Sequence, residues 1–386
     1  MYLSHRNVLS LGLLLAGSVA CAQTPAPPAP ATPAPAAAPA PAAAPTWRVG
    51  PMDVSGFADG NFTWNDNHPT QGNNGQTNDL YNFNDQANQP SLEAAKLTLN
   101  HDPAPFGARV DLMFGRTNKF INPVGQLEYV EQAYVSAKPP KAKGFELDLG
   151  KFVTSAGAEV IEAKDNWNYS RSLLFAWAIP YWHFGVRTSM PVSKTETVGV
   201  QLVNGWNNIT HSTGGVTAGL TSALVKTKYT WNLNVYTGPQ DTPAQNAYRN
   251  LIDTTLLLTP NTKFNMYVNY DYGRNADSMK GAMGDNVTSH WQGVAFAAHE
   301  QITSKVAGAA RFEVFNDAQG YATGMPQTLK EFTGTYEYHM KGPLLSRAEF
   351  RRDWSDAQFF HRGAAGMTDA QSTIAIGIIA IFSPGQ

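Results

Sequence analysis

Period-two alternation is the feature that most restricts this chain. From Asp53 to Phe382 an alternating apolar/polar run of about ten residues recurs, and the connections between runs are alternately short and long. In Asp53–Trp64, Val54, Gly56, Ala58, Gly60, Phe62 and Trp64 share one face, and Asp53, Ser55, Asp59, Asn61 and Thr63 the other. Thr373–Phe382 likewise sets Ile374, Ile376, Ile378, Ala380 and Phe382 against Thr373, Ala375 and Gly377. Successive strand side chains point to opposite faces, so each run suits a boundary between an apolar and a polar medium. The short connections carry Pro and Gly, as in Asp102-Pro103-Ala104-Pro105 and Lys341-Gly342-Pro343.

Two architectures place such runs. A soluble sandwich turns the polar face outward to solvent. A barrel turns it inward onto water and gives the apolar face to lipid. Alternation alone does not separate them. Roughly sixteen runs, an even number, with long loops at one end and short turns at the other, fit an all-β, closed antiparallel transmembrane β-barrel. Closure is obligatory in lipid, where an open sheet edge leaves peptide groups unpaired. Thr373–Phe382 is therefore expected to pair with the first strand. Trp64, Trp206, Trp231, Tyr270, Tyr272, Trp291 and Trp354 fall near strand ends, where interfacial rings are favoured.

Composition narrows the function. Charged residues make up 15%, aromatics 11%, and the formal net charge is −2. Nucleic-acid binding needs clustered Lys and Arg, which are missing from the sequence. A mean hydropathy of −0.30 and the lack of a long apolar run past the leader exclude a helical membrane protein. A strand crosses with about ten residues, half of them polar, so a barrel stays open.

Residues 1–22 read as a secretory signal peptide, with Ala20-Cys21-Ala22 as the cleavage site. The competing reading makes Cys21 a lipidated first residue. Residues 23–46, nearly all Ala and Pro, are expected to form an extended periplasmic tether, and residues 47–386 the barrel. Cleavage after Ala22 would remove Cys21, the one cysteine, and leave the mature chain without thiol chemistry. No metal site or cofactor is expected.

The third long connection, around residues 153–181, is too long for a plain loop in a compact domain. It carries Glu159, Glu162, Asp165 and Arg171, then a cluster including Trp167, Tyr169, Phe175, Trp177, Tyr181 and Trp182. We expect it to fold into the barrel and narrow a water-filled hole. Ionisable residues on the polar faces of the runs are candidates to line that hole: Arg109 and Asp111, Arg187, Arg311 and Glu313, and Arg347, Glu349, Arg351 and Asp353. Cross-strand pairing that stiffens the wall is the alternative role for each. Arg352 faces the other way, where a long cation reaches the interface.

Gly150-Lys151-Phe152, Asn166-Trp167-Asn168-Tyr169-Ser170-Arg171-Ser172-Leu173-Leu174-Phe175, Pro180-Tyr181 and His183-Phe184-Gly185-Val186-Arg187 resemble the putative beta-barrel porin-2 family. Leu202–Trp206, Tyr236–Pro239 and Glu349–Trp354 are similar to later landmarks. The resemblance implies an outer-membrane barrel with porin activity and no catalytic residues. By analogy with sixteen-stranded porins it also implies a homotrimer. The chain departs from the usual aromatic terminus: Ser383-Pro384-Gly385-Gln386 follow Phe382.

The expected partners are outer-membrane lipid and small hydrophilic solutes or ions. The rival functions are a barrel that binds partners through its loops with little conductance, and a surface enzyme. The enzyme finds no support in motifs: His299-Glu300 starts a metalloprotease pattern, but Thr303 stands where its second His belongs.

Overall fold

The computed structural model describes residues 47–70, 76–121, 127–211, 215–239, 247–281 and 283–382. The leader with Cys21, the Ala/Pro tether and Ser383–Gln386 lie outside the described residues.

In chain order the strands are β1 (Trp47–Val49), β2 (Met52–Asn65), β3 (Pro90–His101), β4 (Phe106–Phe114), β5 (Val130–Ala137), β6 (Glu146–Val153), β7 (Trp182–Pro191), β8 (Glu196–Val203), β9 (Thr217–Val225) and β10 (Tyr229–Pro239). They continue with β11 (Tyr248–Leu258), β12 (Phe264–Lys280), β13 (Asn286–Gln301), β14 (Val306–Asp317), β15 (Gln327–His339), β16 (Leu344–Ser355), β17 (Phe360–Arg362), β18 (Gly366–Thr368) and β19 (Ala370–Phe382). A short helix, α1 (Arg116–Ile121), lies after β4.

From β2 to β16 each strand pairs antiparallel with the next. β19 pairs with both β16 and β2, Phe382 opposite Gly56 and Thr373 opposite Asn65. The sheet is a closed barrel of sixteen strands without a free edge. β1 folds back on β2, and β17 and β18 form a separate small hairpin in the last long connection.

Sidedness follows the alternation. On β19, Ile374, Ile376 and Ile378 are exposed on the outside, while Gln371, Thr373, Ala375 and Ile379 are buried inside. On β16, Ala348, Phe350 and Arg352 face outward, and Arg347, Glu349, Arg351 and Asp353 inward. Gly377 faces inward with no room for a side chain: a Cβ there would come within 2.6 Å of the Tyr169 ring.

Strand boundaries follow the backbone more than the side-chain pattern. Residues 274–289, between two alternating runs, are largely sheet, because β12 and β13 keep pairing to Lys280 and Asn286 after an irregularity at Asn275–Met279. Ladder hydrogen bonds satisfy the backbone whether or not side chains alternate, so strands run past the apolar belt. Asn204–Trp206 lie beyond the end of β8. Trp291 and Trp206 leave the expected girdle. Trp291 is buried opposite Gly273, its Nε1 donates to the Ala178 carbonyl at 3.0 Å, and Trp206 packs edge-on against it. Trp64, Trp231 and Tyr270 are exposed on the outer face.

Ile376 sits mid-strand on the outer face, 57% exposed without lipid. Ile376→Arg should cost about 2–4 kcal/mol in a bilayer, read as a shifted unfolding midpoint in lipid vesicles. A neutral result would mean that this face does not meet hydrocarbon.

Candidate functional site

The segment between β6 and β7 leaves the wall at Thr154 and returns at Tyr181, where the Thr154 N–H donates to the Tyr181 carbonyl at 3.0 Å. Between those points it contacts the inner face of many strands. It is mostly irregular, with short helical turns at Ala163–Asp165 and Leu174–Ala178. Its peptide groups therefore lack a sheet or helix ladder and need other partners.

The wall supplies them with charge. Glu349 accepts the Tyr169 and Ser170 N–H groups at 2.5 and 2.9 Å. Glu313 accepts those of Leu173 and Leu174 at 2.9 and 3.1 Å. Arg347 donates to the carbonyls of Ala163 and Asn166 at 2.5 and 2.6 Å. Arg351 donates to the Arg171 carbonyl at 2.7 Å, and Arg311 to the Ser170 carbonyl at 2.9 Å. Acids take the donors and guanidinium groups take the acceptors, as their chemistry requires.

The same charges neutralise one another. Arg311 contacts Glu159, Glu331 and Glu313 at 2.6, 2.9 and 3.1 Å. Arg351 pairs with Asp353 at 2.7 Å, and Arg347 with Glu337 at 2.6 Å. Glu159 also accepts the Ser172 N–H at 2.6 Å. Arg171 turns back onto its own segment, bonding the Ile161 and Tyr169 carbonyls and lying over the Phe83 ring. Arg311, Glu313, Glu349, Arg351 and Asp353 are all buried. They sit under the segment, not against open water.

A second cluster, on β3 to β5, holds the segment. Lys96 on β3 contacts Asp111 at 3.0 Å, Glu131 at 2.5 Å, and Glu162 of the segment. Arg109 also pairs with Asp111 and keeps its side chain 32% exposed. Arg187 pairs with Asp148 at 2.8 Å and lies over the Phe152 ring. Asp165 pairs with Lys164 and remains about half exposed, apart from both clusters.

Sequence reasoning missed several anchors. Lys96 and Glu331 lie on the inward faces of their strands, so same-face charge was the available signal for them, whereas Glu131 is turned inward by an irregularity between β4 and β5 that parity does not reveal. The first long loop was missed as a packing partner. Its Leu80 and Phe83 join the buried apolar cluster with Phe175 and Tyr181, and Asn82 donates to the Ala176 carbonyl at 2.8 Å. Two small cavities flank the segment. Each has room for about one water molecule: one is lined by Glu159, Trp167, Thr255 and Tyr267 among others, and the second includes Trp206 and Arg249.

A closed sixteen-stranded barrel with an apolar belt, a polar interior and a segment tied into that interior defines the class of bacterial outer-membrane porin-like barrels. Residues 51–382 match the family described as putative beta-barrel porin-2, OmpL-like, and the chain belongs to that family. Its place is the bacterial outer membrane. No curated protein is significantly similar in sequence. The outer membrane channel DcaP of Acinetobacter baumannii is similar in structure, with a TM-score of 0.59 at 10% identity over 86% of this chain and 97% of that one. The anion-selective porin from Comamonas acidovorans gives 0.56 at 11% identity over 86% and 99%. OmpT of Vibrio cholerae in its trimer form gives 0.53 at 11% identity over 86% and 99%.

Glu349→Ala would leave two segment amides and the Thr335 hydroxyl without their acceptor. Hydrogen bonds to a charged group are worth about 1.5–3 kcal/mol each. Amide exchange at Tyr169 and Ser170 should rise at least tenfold, and wild-type exchange rates in the variant would refute the anchoring role. Glu162 adds a pH dependence. Burial alone would raise its carboxyl, but the ammonium groups of Lys96 and Lys164 outweigh burial and hold it below its ordinary value of 4.5. Its stabilisation is complete above 4.5 and is lost as pH falls through the lowered folded value. Exchange of the segment's amides should accelerate only on the acid side of 4.5, and Glu162→Gln should flatten that rise.

Proposed function

We propose that the barrel is a channel for passive diffusion of small hydrophilic solutes, narrowed by the segment around residues 153–181. One observation supports this reading: the segment is tied by charge-assisted bonds to inward residues of β14 and β16. The inward residues that keep contact with solvent lie mostly elsewhere. Arg109, Tyr134, Arg187, Ser189 and Thr197, on β4, β5, β7 and β8, are half-buried. Solutes would pass along that arc, where Arg109 and Arg187 present the accessible charge. Aqueous flow needs such a wetted face, and charged groups on it set solute preference.

A second reading has its own support. From β10 round to β19, inward polar groups such as Asn234, Asp253, Asn269, Thr333 and Thr373 are buried under the segment and its neighbours. A barrel filled to that degree could serve mainly as a surface binding or structural protein with little conductance. As in the OmpT trimer form, a homotrimer is the proposed assembly.

Refolded protein in planar bilayers should give stepwise currents, and replacing residues 155–180 by a short turn should enlarge the steps several-fold. Silent wild type with a conducting deletion variant would favour the second reading. Equal conductance of the two would remove the segment from the mechanism. Unheated gel mobility or chemical cross-linking should give three copies per particle.

A further inference from the structure

We infer that the short-turn rim of the barrel is a collar that binds the headgroups of anionic phospholipid in the leaflet facing the periplasm. Short turns face the periplasm in barrels of this class. The inference rests on that sidedness and not on the channel reading.

Each of the six consecutive short turns from β5–β6 to β15–β16 carries exposed lysine. The β5–β6 and β9–β10 turns carry two, the latter Lys226 and Lys228, and Lys194, Lys263, Lys305 and Lys341 mark the others. No long loop carries more than one lysine. Those six turns join strands that follow one another round the sheet, so the ammonium groups run along most of the circumference.

Few acids stand against them. Glu146 is taken by Lys138 at 3.0 Å, Asp53 by Arg48 at 2.8 Å, and Glu337 by Arg347 at 2.6 Å. Asp102, Glu196 and Glu300 are the other acids near this rim. Among the described residues, Lys226, Lys228, Lys263, Lys305 and Lys341 form no ion pair, and Lys226 Nζ donates to the Thr195 hydroxyl at 2.8 Å.

A row of exposed ammonium groups short of counter-charge attracts a polyanionic surface, and lysine serves phosphate as a point charge. The apolar residues beside the lysines select lipid among such surfaces. Val192, Tyr229, Ile302 and Met340 are exposed, lie one to three residues from a turn lysine, and fall by parity on the outer face. A turn that offers hydrocarbon outward and ammonium at its tip matches the boundary between acyl chains and headgroups. There a lysine stem runs along apolar surface while its charge reaches phosphate. A wholly hydrophilic acidic polymer, such as the cell wall, would leave those apolar side chains in water.

Full-length protein is refolded into phosphatidylcholine vesicles carrying a trace of spin-labelled phosphatidylcholine or phosphatidylglycerol. The motionally restricted fraction of each label gives their relative association constant. Phosphatidylglycerol should be favoured at least about twofold at low salt, and the preference should fall towards one at about 1 M sodium chloride. Lys226→Gln, Lys228→Gln, Lys305→Gln and Lys341→Gln combined should remove most of it. The same loss of charge at the long-loop end, by Lys119→Gln, Lys280→Gln, Lys330→Gln and Arg352→Gln combined, should leave it in place. Unheated gel mobility checks folding. If the first combination does not fold, its two halves, Lys226→Gln with Lys228→Gln and Lys305→Gln with Lys341→Gln, decide, each lowering the preference. No preference for phosphatidylglycerol, a preference that survives high salt, or equal losses in the two combinations would overturn the assignment. Lysine-dependent sedimentation with purified peptidoglycan, without a lipid preference, would overturn it as well and give the collar to the cell wall. Current is not read, so these outcomes leave the channel reading to its own test.

Discussion

A chain segment placed inside a barrel takes its peptide groups out of bulk water, and each buried N–H and C=O then needs a partner. This requirement governs the interior of the molecule. The segment between β6 and β7 is largely irregular, so it satisfies itself only in part, as where its own Arg171 bonds the Ile161 and Tyr169 carbonyls. Glu313, Glu349 and Glu159 accept its amides, and Arg311, Arg347 and Arg351 donate to its carbonyls. Neutral side chains could make such bonds, but charged ones make them about twice as strong. Burying so many ions is tolerable only because they also pair with one another, as Arg311 does with three acids.

Charge on the inner wall therefore serves two separate purposes. On β14 to β16 it is consumed in holding the segment. On β4 and β7 it stays in contact with solvent, at Arg109 and Arg187, each with an acid beside it. Inward charge on a barrel strand is thus an incomplete indicator of pore lining. Whether a charge touches solute depends on what lies above it, and that is a property of the loop.

The fold was legible because period-two alternation is local and lipid imposes it on every strand. Thr373–Phe382 illustrates this: its pairing with the first strand follows from closure and its faces from parity. Strand ends were less legible, since β12 and β13 continue as a hairpin where the side-chain pattern stops. The residues of the candidate site were readable singly, and their partners were not. Glu349 is visibly inward from parity alone. That it receives the Tyr169 and Ser170 amides, 180 and 179 residues earlier in the chain, depends on how an irregular segment folds back. Trp291 failed for a related reason. Its position near a strand end suggested a membrane-facing ring, but parity sets it inward opposite Gly273, where the segment supplies a carbonyl for its indole.

The two sides of the segment are held by different chemistry, and this bears on how it could move. Towards β14–β16 the bonds are many, buried and mutually neutralised, so breaking one exposes another charge. Towards β3 the attachment runs through a single ammonium group, Lys96, shared among three acids, of which Glu162 alone belongs to the segment. Towards β8 and β10 it is made by uncharged groups: Asn234 donates to the Ser155 carbonyl, and Gln201 and Tyr236 meet the Ser155 hydroxyl. Neutral bonds near a wetted arc can be exchanged for water at small cost, whereas the carboxylate and guanidinium bonds cannot. Any displacement of the segment should therefore pivot about its attachment to β14–β16 and open first along β4–β10. On that arc lie the partly exposed Arg109 and Arg187, so any widening of the passage would be governed by these weak attachments.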